Sequence, residues 1–347
     1  MDTQQLIPQK INTGDWVGSA WNGSPRLTPY AQAIADHYPI QVPLFLTTQV
    51  VLSNDPLDLS IPRVLLTRPQ LYDTLIVGMT AYQAPTIQQA GQAYLNITHQ
   101  DTGIPWTAPN SIGFSPLPAY AGMVTVGGFG SPQMFIMRLP ESFFLPAHTQ
   151  LKLEYLPIKL DVTPSVTIIL VMQGIQLINH RPGFTTPEKV QMPNGEVIPV
   201  GSRIPWFATI PYGARPDVAG SRGFLDYALN ALEQTVSYGP PSDCVIEVHD
   251  TYASFNDSTF ENFATFNLLR TKLDFTRKKR DWSPQYIPEQ AVFGSIVNID
   301  PCMPFPMPQI LSGDDKITMR AMNNDTDLEN PVLDGTVTFR GVRQCEY

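Results

Sequence analysis

Short apolar runs with a period of two residues recur along the whole chain. In these runs β-branched and aromatic residues alternate with polar ones, and Gly, Pro and Asn fill the gaps between runs. Such a pattern predicts antiparallel strands that are buried on one face. The predicted strands of the N-terminal half are Gln41 to Leu52, Thr74 to Tyr82, Met134 to Arg138, Leu151 to Tyr155 and Val166 to Met172. Those of the C-terminal half are Val245 to Val248, Val292 to Ile299, Lys316 to Met322 and Gly335 to Arg340.

Helical patterning is confined to a few segments. Residues Phe224 to Leu232 place five apolar side chains on one helical face, and Gly239-Pro240 follows as a stop signal. Tyr30 to His37 is compatible with one short helix. Asp257 to Phe275 fits either class, because a capping-box pattern opens it but the later residues alternate as in a strand. The chain is therefore predicted to be all-β with few short helices.

The chain also contains a weak internal duplication. Four motifs recur in the same order, at offsets of 162, 170, 166 and 167 residues. The matched motifs are Val42–Thr47 with Ile204–Thr209, Asp73–Ile76 and Tyr82 with Asp243–Ile246 and Tyr252, Leu145 and Leu151–Leu153 with Leu311 and Ile317–Met319, and Thr167–Ile169 and Gly174–Gln176 with Thr336–Thr338 and Gly341–Gln344. Single matches of this kind arise by chance, but four in constant order indicate a true repeat. We therefore expect Val42–Gln176 to superimpose on Ile204–Gln344.

The repeat divides the chain into parts. About eight strands in under 150 residues fit a jelly roll, an antiparallel β-sandwich also described as a β-barrel. We predict an N-terminal arm at residues 1–37, a first jelly roll at 38–180, a linker at 181–200 and a second jelly roll at 201–347. The linker is polar and contains the turn-forming pairs Pro182-Gly183 and Asn194-Gly195.

A duplicated jelly roll in one chain of this length resembles the major capsid proteins of the tectivirus and adenovirus lineage, which includes icosahedral bacteriophages with an internal membrane. The resemblance is architectural and covers residues 38–347. It implies a viral structural protein of the virion, assembled in the host cytoplasm. It further implies a homotrimer whose six barrels mimic a hexagon and tile an icosahedral shell. The implied partners are neighbouring capsid subunits, minor capsid proteins and internal membrane lipids.

Composition agrees with a structural role. The 347 residues include 34 prolines, only 15% are charged, and the formal net charge is −9. Proline suits turns and strand ends. The net negative charge argues against a broad nucleic-acid-binding surface, which would need many clustered Lys and Arg, and no sequence-specific nucleic-acid binding is expected. Between Thr74 and Met137 the only charged side chain is Asp101. Charges cost desolvation free energy in interfaces, so neighbouring subunits are expected to bury this segment; the alternative is an ordinary solvated loop.

The three cysteines are predicted to be free thiols. Cys244, Cys302 and Cys345 have no metal-ligand spacing, and no obligatory pair is evident. The chain opens with polar residues and shows no apolar signal-peptide core, which agrees with assembly in a reducing cytoplasm.

Three groups of residues are candidate binding elements. Asp325, Asp327 and Glu329 alternate like calcium ligands, although the glycine and distal glutamate of an EF-hand are missing. Arg277, Lys278, Lys279 and Arg280 form the one dense basic run and could contact lipid head groups or packaged genome. For both groups the alternative interpretation is a solvated loop. Trp16 and Trp21 lie in the polar arm, where large aromatics typically anchor to a partner surface, here a neighbouring subunit or a membrane.

No catalytic or cofactor motif is recognisable. The five histidines form no His-x-His pair, and His249-Asp250 is accompanied by no Gly-x-Ser-x-Gly motif. The sequence therefore predicts no enzyme and no cofactor. The alternative function is a carbohydrate-binding or receptor-binding β-sandwich protein, such as a phage spike or tail adhesin. Such a protein would cluster exposed aromatics for stacking on sugars, whereas the five tryptophans are spread along the chain.

Overall fold

The computed structural model describes residues 27–53, 62–84, 93–108, 113–123, 125–126, 132–133, 136–157, 165–180, 184–212, 234–238, 244–255, 264–272, 279–281, 287–288, 303–311, 315–323 and 335–345. These ranges are almost entirely strand, with two short helices, α1 (Pro29–Ala35) and α2 (Leu117–Tyr120). The prediction of an all-β sandwich protein with few short helices is confirmed. None of the helices in these ranges is long and apolar enough to cross a membrane.

Eleven described strands make up the first half of the protein. They are β1 (Ile40–Ser53), β2 (Arg63–Leu66), β3 (Asp73–Ala84), β4 (Ala93–His99), β5 (Ser115–Pro116), β6 (Gly122–Met123), β7 (Thr125–Val126), β8 (Pro132–Gln133), β9 (Met137–Leu145), β10 (Leu151–Pro157) and β11 (Ser165–Ile178). Two short strands follow as a connecting hairpin, β12 (Lys189–Gln191) and β13 (Val197–Pro199).

Nine described strands make up the second half. They are β14 (Arg203–Tyr212), β15 (Gln234–Tyr238), β16 (Cys244–Phe255), β17 (Ala264–Lys272), β18 (Lys279–Asp281), β19 (Ile287–Pro288), β20 (Met303–Leu311), β21 (Asp315–Asn323) and β22 (Gly335–Cys345). The ambiguous segment from Asp257 to Phe275 is therefore a strand over Ala264–Lys272. The helix predicted over Phe224–Leu232 lies outside the described residues.

Each half forms two main sheets. Sheet 1 has the order β1-β11-β3, with β9 and the short β6 both paired to β3, and sheet 2 has the order β2-β10-β4-β5. In the second half, sheet 3 has the order β14-β22-β16-β20, and sheet 4 has the order β15-β21-β17-β18 with β19 also on β17. The order repeats strand for strand, so β1, β11, β3 and β9 of sheet 1 correspond to β14, β22, β16 and β20 of sheet 3.

The same irregularity interrupts sheets 1 and 3. In sheet 1 the β3–β11 register shifts beside Gly174, and in sheet 3 the β16–β22 register shifts beside Gly341. A side chain at Gly174 would place its Cβ 2.3 Å from the Leu75 carbonyl oxygen, and one at Gly341 would place it 2.0 Å from that of Glu247. Both positions therefore require glycine, because backbone approaches too closely for any Cβ.

The aligned sequence motifs fall on corresponding strands, and two of them are out of register. Val42–Thr47 and Ile204–Thr209 occupy β1 and β14 at matching pairing positions. Asp73–Ile76 lies on β3, but Ile76 corresponds to Val248, because both lie opposite the bulge glycine. The expected match of Ile76 with Ile246 is thus wrong by two residues. The expected match of Thr167 with Thr336 is wrong by two as well, because Thr336 takes the position of Ile169 once Gly174 and Gly341 are aligned. A register shift of two residues keeps each side chain on the same face of the sheet. The alternating sequence pattern is therefore the same for both registers and does not distinguish them.

The core of the first half lies between sheets 1 and 2. Alternate residues of β11 are at most 1% exposed and point into it, namely Val166, Ile168, Leu170 and Met172. The residues between them are partly exposed on the opposite face, namely Thr167, Ile169 and Val171. This strand contains the longest apolar run of the sequence, and its alternation explains why that run forms a strand.

Helix α1 packs against the first half and the connecting hairpin. The Thr28 hydroxyl caps the helix by accepting from the Ala31 amide at 3.2 Å, and Pro29 occupies the first turn. Tyr30 and Ile34 are at most 1% exposed and share a cluster with residues of β3, β9, β11, β12 and β13. The short helix is confirmed, and this helical part of the predicted arm packs onto the fold.

The cysteine prediction is also wrong in part. Cys244 is disulfide-bonded. Cys345 lies directly opposite it in the β16–β22 pair. Opposed antiparallel residues have Cα atoms about 4.5–5.5 Å apart, and this backbone spacing suits a disulfide. The strand register therefore makes Cys345 the expected partner of Cys244. The sequence did not reveal the pair because 100 residues separate the two cysteines, and only the strand register brings them together.

Candidate functional site at the junction of the two halves

A bulge in β9 carries Glu141 toward the second half. The register between β3 and β9 jumps from Ile76 opposite Phe143 to Gly78 opposite Arg138. The intervening residues of β9 therefore leave the sheet ladder, and they include Pro140, which has no backbone N–H to pair. Glu141 is nevertheless only 2% exposed. A buried carboxylate at this position requires partners, and the second half supplies them.

Arg203, at the start of β14, is the main partner of Glu141. Its Nε lies 3.0 Å from Glu141 Oε2, and its Nη2 lies 3.1 Å from Glu247 Oε2 on β16. Its Nη1 also donates to Glu247 Oε1 at 3.3 Å and to Gln344 Oε1 at 3.0 Å. Thr28 donates to the other oxygen of Glu141. The guanidinium thus joins β9 of the first half to three strands of the second half.

The pKa values of the two carboxyl groups around Arg203, those of Glu141 and Glu247, are shifted in opposite directions. Burial raises the pKa of Glu141, while the Thr28 hydroxyl, the Arg203 guanidinium and the Ser142 amide act against that shift. The hydrogen bond from His249 and the contacts with Arg203 outweigh desolvation at Glu247 and lower its pKa from 4.5 to about 2. The contacts with Glu247 and Glu141 outweigh desolvation at Arg203 and raise the pKa of its guanidinium.

Arg340 of β22 makes a second polar connection. Its Nη2 donates to the Arg138 carbonyl oxygen, and its Nε lies 3.3 Å from Asp250 Oδ1. Its Nη1 lies 2.8 Å from Met137 Sδ, and its guanidinium is 6.0 Å from the ring centroid of Phe207. At 3% exposure, Arg340 is buried between strands of both halves.

Backbone and aromatic contacts centre on Phe207 of β14. Its amide donates to the Trp106 carbonyl at 3.0 Å, and its carbonyl accepts from the Ala108 amide at 2.7 Å. Its ring lies 4.1 Å from that of Tyr120, and its side chain belongs to the core of the first half. Residues 105–108 therefore add to sheet 3 at the edge of β14. This edge is not available for pairing with another strand at Phe207.

The junction borders a small cavity. Its volume is about 240 Å³, and its lining includes Ser142, His249, Asp250 and Arg340. This is smaller than the roughly 300–1,000 Å³ typical of small-molecule sites. His249 contacts Glu247 at 3.4 Å, whereas Asp250 pairs with Arg340, so the sequence pair His249-Asp250 is not arranged as base and orienting acid. Within the described ranges no group of three or more His, Cys, Asp or Glu side chains could hold a metal ion.

The residues predicted as binding elements do not converge on this junction. Lys279 and Arg280 lie on β18, where Arg280 is opposite Arg270 of β17. Arg277 and Lys278, the calcium candidates Asp325, Asp327 and Glu329, and the arm residues Trp16 and Trp21 lie outside the described residues.

The uncharged segment from Thr74 to Met137 is buried in part by its own chain. Trp106, Ser115 and Tyr120 are fully buried, and Ser115 accepts from Thr209 of the second half at 2.7 Å. The first-half core and the second half of the same chain thus cover these described residues. Burial of the segment by neighbouring subunits stays a prediction.

Sequence reasoning missed Glu141, Arg203 and Arg340. Each is a charged residue set within an apolar strand sequence. A charge at a buried strand position must be paired, so isolated charges of opposite sign in different strands are a usable signal. The sequence could not specify which charges meet, because the pairing partners lie in different halves.

Comparisons with known proteins give weak similarity only. No protein family and no curated protein matches the sequence. The VP2 subviral particle of infectious bursal disease virus is 8% identical, with 88% of this chain and 74% of that chain covered, at a TM-score of 0.22. The CBM22-1-CBM22-2 tandem domain of Paenibacillus barcinonensis Xyn10C is 9% identical, with 87% and 91% covered, at 0.17. The delta-endotoxin Cry8Ea1 of Bacillus thuringiensis is 8% identical, with 90% and 55% covered, at 0.19. At such scores none of these proteins bears on the function of this chain.

Proposed function

We propose that this chain is a structural subunit of a viral capsid. Each half is a jelly roll, and three chains form a pseudo-hexagonal homotrimer that tiles the icosahedral shell of a bacteriophage. The observation that carries the proposal is the repetition of one strand order in both halves, including the bulges at Gly174 and Gly341. A chain with two like barrels provides six barrels in a trimer, which suits a lattice of six-fold positions.

The junction supports this role because it fixes one half on the other. Arg203 and Arg340 bond to both halves, and Phe207 is shared between a sheet of one half and the core of the other. A rigid subunit suits a shell, and buried polar contacts that join the two halves, such as those of Arg203 with Glu141, Glu247 and Gln344, favour one fixed arrangement of them.

The polar groups of the junction support a structural role over a catalytic one. We therefore propose that the protein is not an enzyme and uses no cofactor. The donors of Arg203 are engaged by Glu141, Glu247 and Gln344, and Asp250 is engaged by Arg340. These side chains hold one another instead of facing an open cleft.

The remaining partners belong to the same proposal. Trp16 and Trp21 anchor the N-terminal arm on a neighbouring subunit or a membrane interface. The run Arg277–Arg280 contacts lipid head groups or packaged genome at the inner face of the shell. Minor capsid proteins and neighbouring trimers complete the set of partners.

One observation favours the alternative, a carbohydrate-binding or receptor-binding protein. Phe45 and Tyr82 are 62% and 40% exposed on strands of sheet 1, and both strands carry neutral polar residues around them. Exposed aromatics among amides and hydroxyls can stack on sugars. Trp106 and Trp206, in contrast, are fully buried and cannot serve such a site.

Light scattering and negative-stain microscopy of the full-length protein test the proposal. We expect a trimer in solution, trimers with a hexagonal outline on the grid, and the same outline in the source particle. A glycan array on the same preparation tests the alternative. A monomer at high concentration, together with no shell-like assembly and strong glycan binding, would replace the capsid proposal by the alternative.

A further inference from the structure

Strand β1 of sheet 1 is an open edge over its second part. Among the described strands it pairs only with β11. Phe45 and Val51 are 62% and 54% exposed, and Thr47 and Gln49 between them are exposed as well. The alternate side chains enter the core, so these four residues lie on the outer face of the sheet. Exposed apolar residues on an open edge favour association.

The cover that α1 and the connecting hairpin place on sheet 1 ends before this segment. Ile175 and Leu177 of β11 pack in the cluster that contains α1. They lie opposite Pro43 and Gln41 near the start of β1. The cover reaches no further along the edge, because Phe45, two residues beyond Pro43, is 62% exposed. The open part of β1 therefore begins at Phe45.

The corresponding strand β14 shows which backbone groups of β1 point outward. Phe45 on β1 corresponds to Phe207 on β14, since both lie opposite the residue that precedes the bulge glycine of their sheet. The carbonyl of Trp106 accepts from the Phe207 amide, and the amide of Ala108 donates to the Phe207 carbonyl, on the side away from β22. Backbone direction alternates along an antiparallel strand. The N–H and C=O groups of every second residue from Phe45 to Val51 therefore point away from β11.

Strand β1 lacks a feature that limits pairing at the edge of β14. Pro205 and Pro211 take two outward positions on β14, and proline has no N–H to offer there. The corresponding residues of β1 are Pro43 and Gln49. From residue 44 to residue 53, β1 contains neither a proline nor a charged side chain. Edges that must stay unpaired usually carry one or the other, so this edge is suited to receive another strand.

This segment of β1 is complementary to a second copy of itself. Antiparallel pairing about a two-fold axis at Thr48 sets Phe45 opposite Val51 of the second copy, and Thr47 opposite Gln49 of the second copy. Aromatic with β-branched and polar with polar are favourable cross-strand pairs, and no charge meets a like charge. All four residues of each copy then exchange hydrogen bonds through their outward N–H and C=O groups. Moving the second copy by two residues in either direction would set Phe45 opposite a polar residue.

We infer that β1 pairs with β1 of a second copy of this chain, antiparallel and about a two-fold axis at Thr48, so that sheet 1 continues from one chain into the next. The contact is isologous, because both copies contribute the same residues. The pairing itself goes beyond the proposed capsid function, whereas its place in a shell rests on that function. Chains of one trimer are related by a three-fold axis, so a two-fold contact joins chains of neighbouring trimers.

The first experiment places opposite charges at the two positions that face each other. Phe45→Lys and Val51→Glu are each expected to weaken self-association at least about tenfold, because each buries an unpaired charge in the contact. An equimolar mixture of the two variants should associate at least about tenfold more tightly than either alone, since the introduced lysine then faces the introduced glutamate. This gain should shrink as salt is raised. Sedimentation equilibrium of the full-length chains measures each constant, and Val197→Glu, at a 57% exposed position on β13, should leave association unchanged.

The second experiment removes one outward N–H group. Gln49→Pro introduces into β1 the residue that β14 carries at the corresponding position, Pro211, so the fold should tolerate it. We expect the melting temperature to change little and self-association to weaken at least about tenfold, because one backbone donor of the contact is lost.

The outcomes separate this inference from the capsid proposal. Unchanged association in Gln49→Pro and Phe45→Lys would overturn the pairing. Weaker association in both single variants without recovery in the mixture would show that β1 binds a different surface, and would also overturn it. Trimers that never associate further through β1 would overturn the pairing and leave the capsid proposal intact. Dimers that depend on β1, without any trimer, would support the pairing and count against the capsid proposal.

Discussion

Arg203 Nε lies 3.0 Å from Glu141 Oε2, and this contact joins the first strand of the second half to the bulge of β9. The side chains of Arg203 and Glu141 are 12% and 3% exposed. Burial of a lone charge is costly, whereas a paired and hydrogen-bonded charge is tolerated. The contact therefore makes the two halves depend on each other, since the buried charge of Glu141 is tolerated only while Arg203 of the second half pairs with it.

Arg203→Met should destabilise the protein strongly. It leaves Glu141 buried without its cation, and breaking a buried pair in this way costs about 3–5 kcal/mol. The double variant Arg203→Met with Glu141→Leu should cost less than the single variant, because Glu141 no longer leaves a deeply buried charge unpaired. Glu247 also loses Arg203 in both variants, but its side chain is 30% exposed and keeps its contact with His249. Urea denaturation followed by fluorescence measures both.

Lys152→Ala serves as the control. Its partner Glu154 is close, at 2.7 Å, but the two side chains are 38% and 20% exposed, so a loss of about 0.5 kcal/mol in unfolding free energy is expected. Equal losses for the buried and exposed pairs would contradict this account.

Sequence patterning predicted the strands but not their partners. The alternation in Val166–Met172 specified which residues enter the core, and it did so because a strand repeats every two residues. The same periodicity hid the two-residue error between Ile76 and Ile246. Glu141 and Arg203 lie 62 residues apart and meet only because a bulge redirects β9. Long-range polar contacts of this kind depend on tertiary geometry, which a local pattern does not contain.

Stability should fall in acid because of Glu247. Its pKa is lowered from 4.5 to about 2 in the folded protein by His249 and Arg203. A lowered pKa means that the folded state favours the carboxylate, so the stabilisation is complete above pH 4.5 and is lost as the pH falls toward 2. The raised pKa of Glu141 has the opposite effect on stability, because the folded state favours its protonated form. Glu247→Gln should therefore flatten the decline of the melting temperature between pH 4.5 and 2, as measured by calorimetry. A variant with the wild-type decline would exclude Glu247 as its source.

The disulfide gives a prediction about thiol content. Because Cys244 is disulfide-bonded and the strand register makes Cys345 its expected partner, thiol counting under denaturing, non-reducing conditions should find one free thiol, that of Cys302. Cys345→Ser should lower stability by about 2–4 kcal/mol under oxidising conditions, since the bond closes a loop of about 100 residues. In the presence of reductant the variant and the wild type should converge. Three free thiols in the oxidised protein would restore the original expectation of unpaired cysteines.

Two truncations should separate the N-terminal arm from the part of it that belongs to the fold. Removing residues 1–26 takes away Trp16 and Trp21, which we expect to anchor to a partner, so shell formation should fail while the melting temperature changes little. Removing residues 1–37 also takes away α1, and with it the buried Tyr30 and Ile34. Tyr30 accepts from the Gly201 amide at 2.7 Å and donates to the Pro199 carbonyl at 3.0 Å, so its loss also frees the connecting hairpin. The longer truncation should therefore melt many degrees lower, because each large buried side chain contributes about 1.5–3 kcal/mol.

Equal melting temperatures for both truncations would show that α1 contributes nothing to the stability of the fold. Normal shells from the protein that lacks residues 1–26 would show that Trp16 and Trp21 are not needed as anchors.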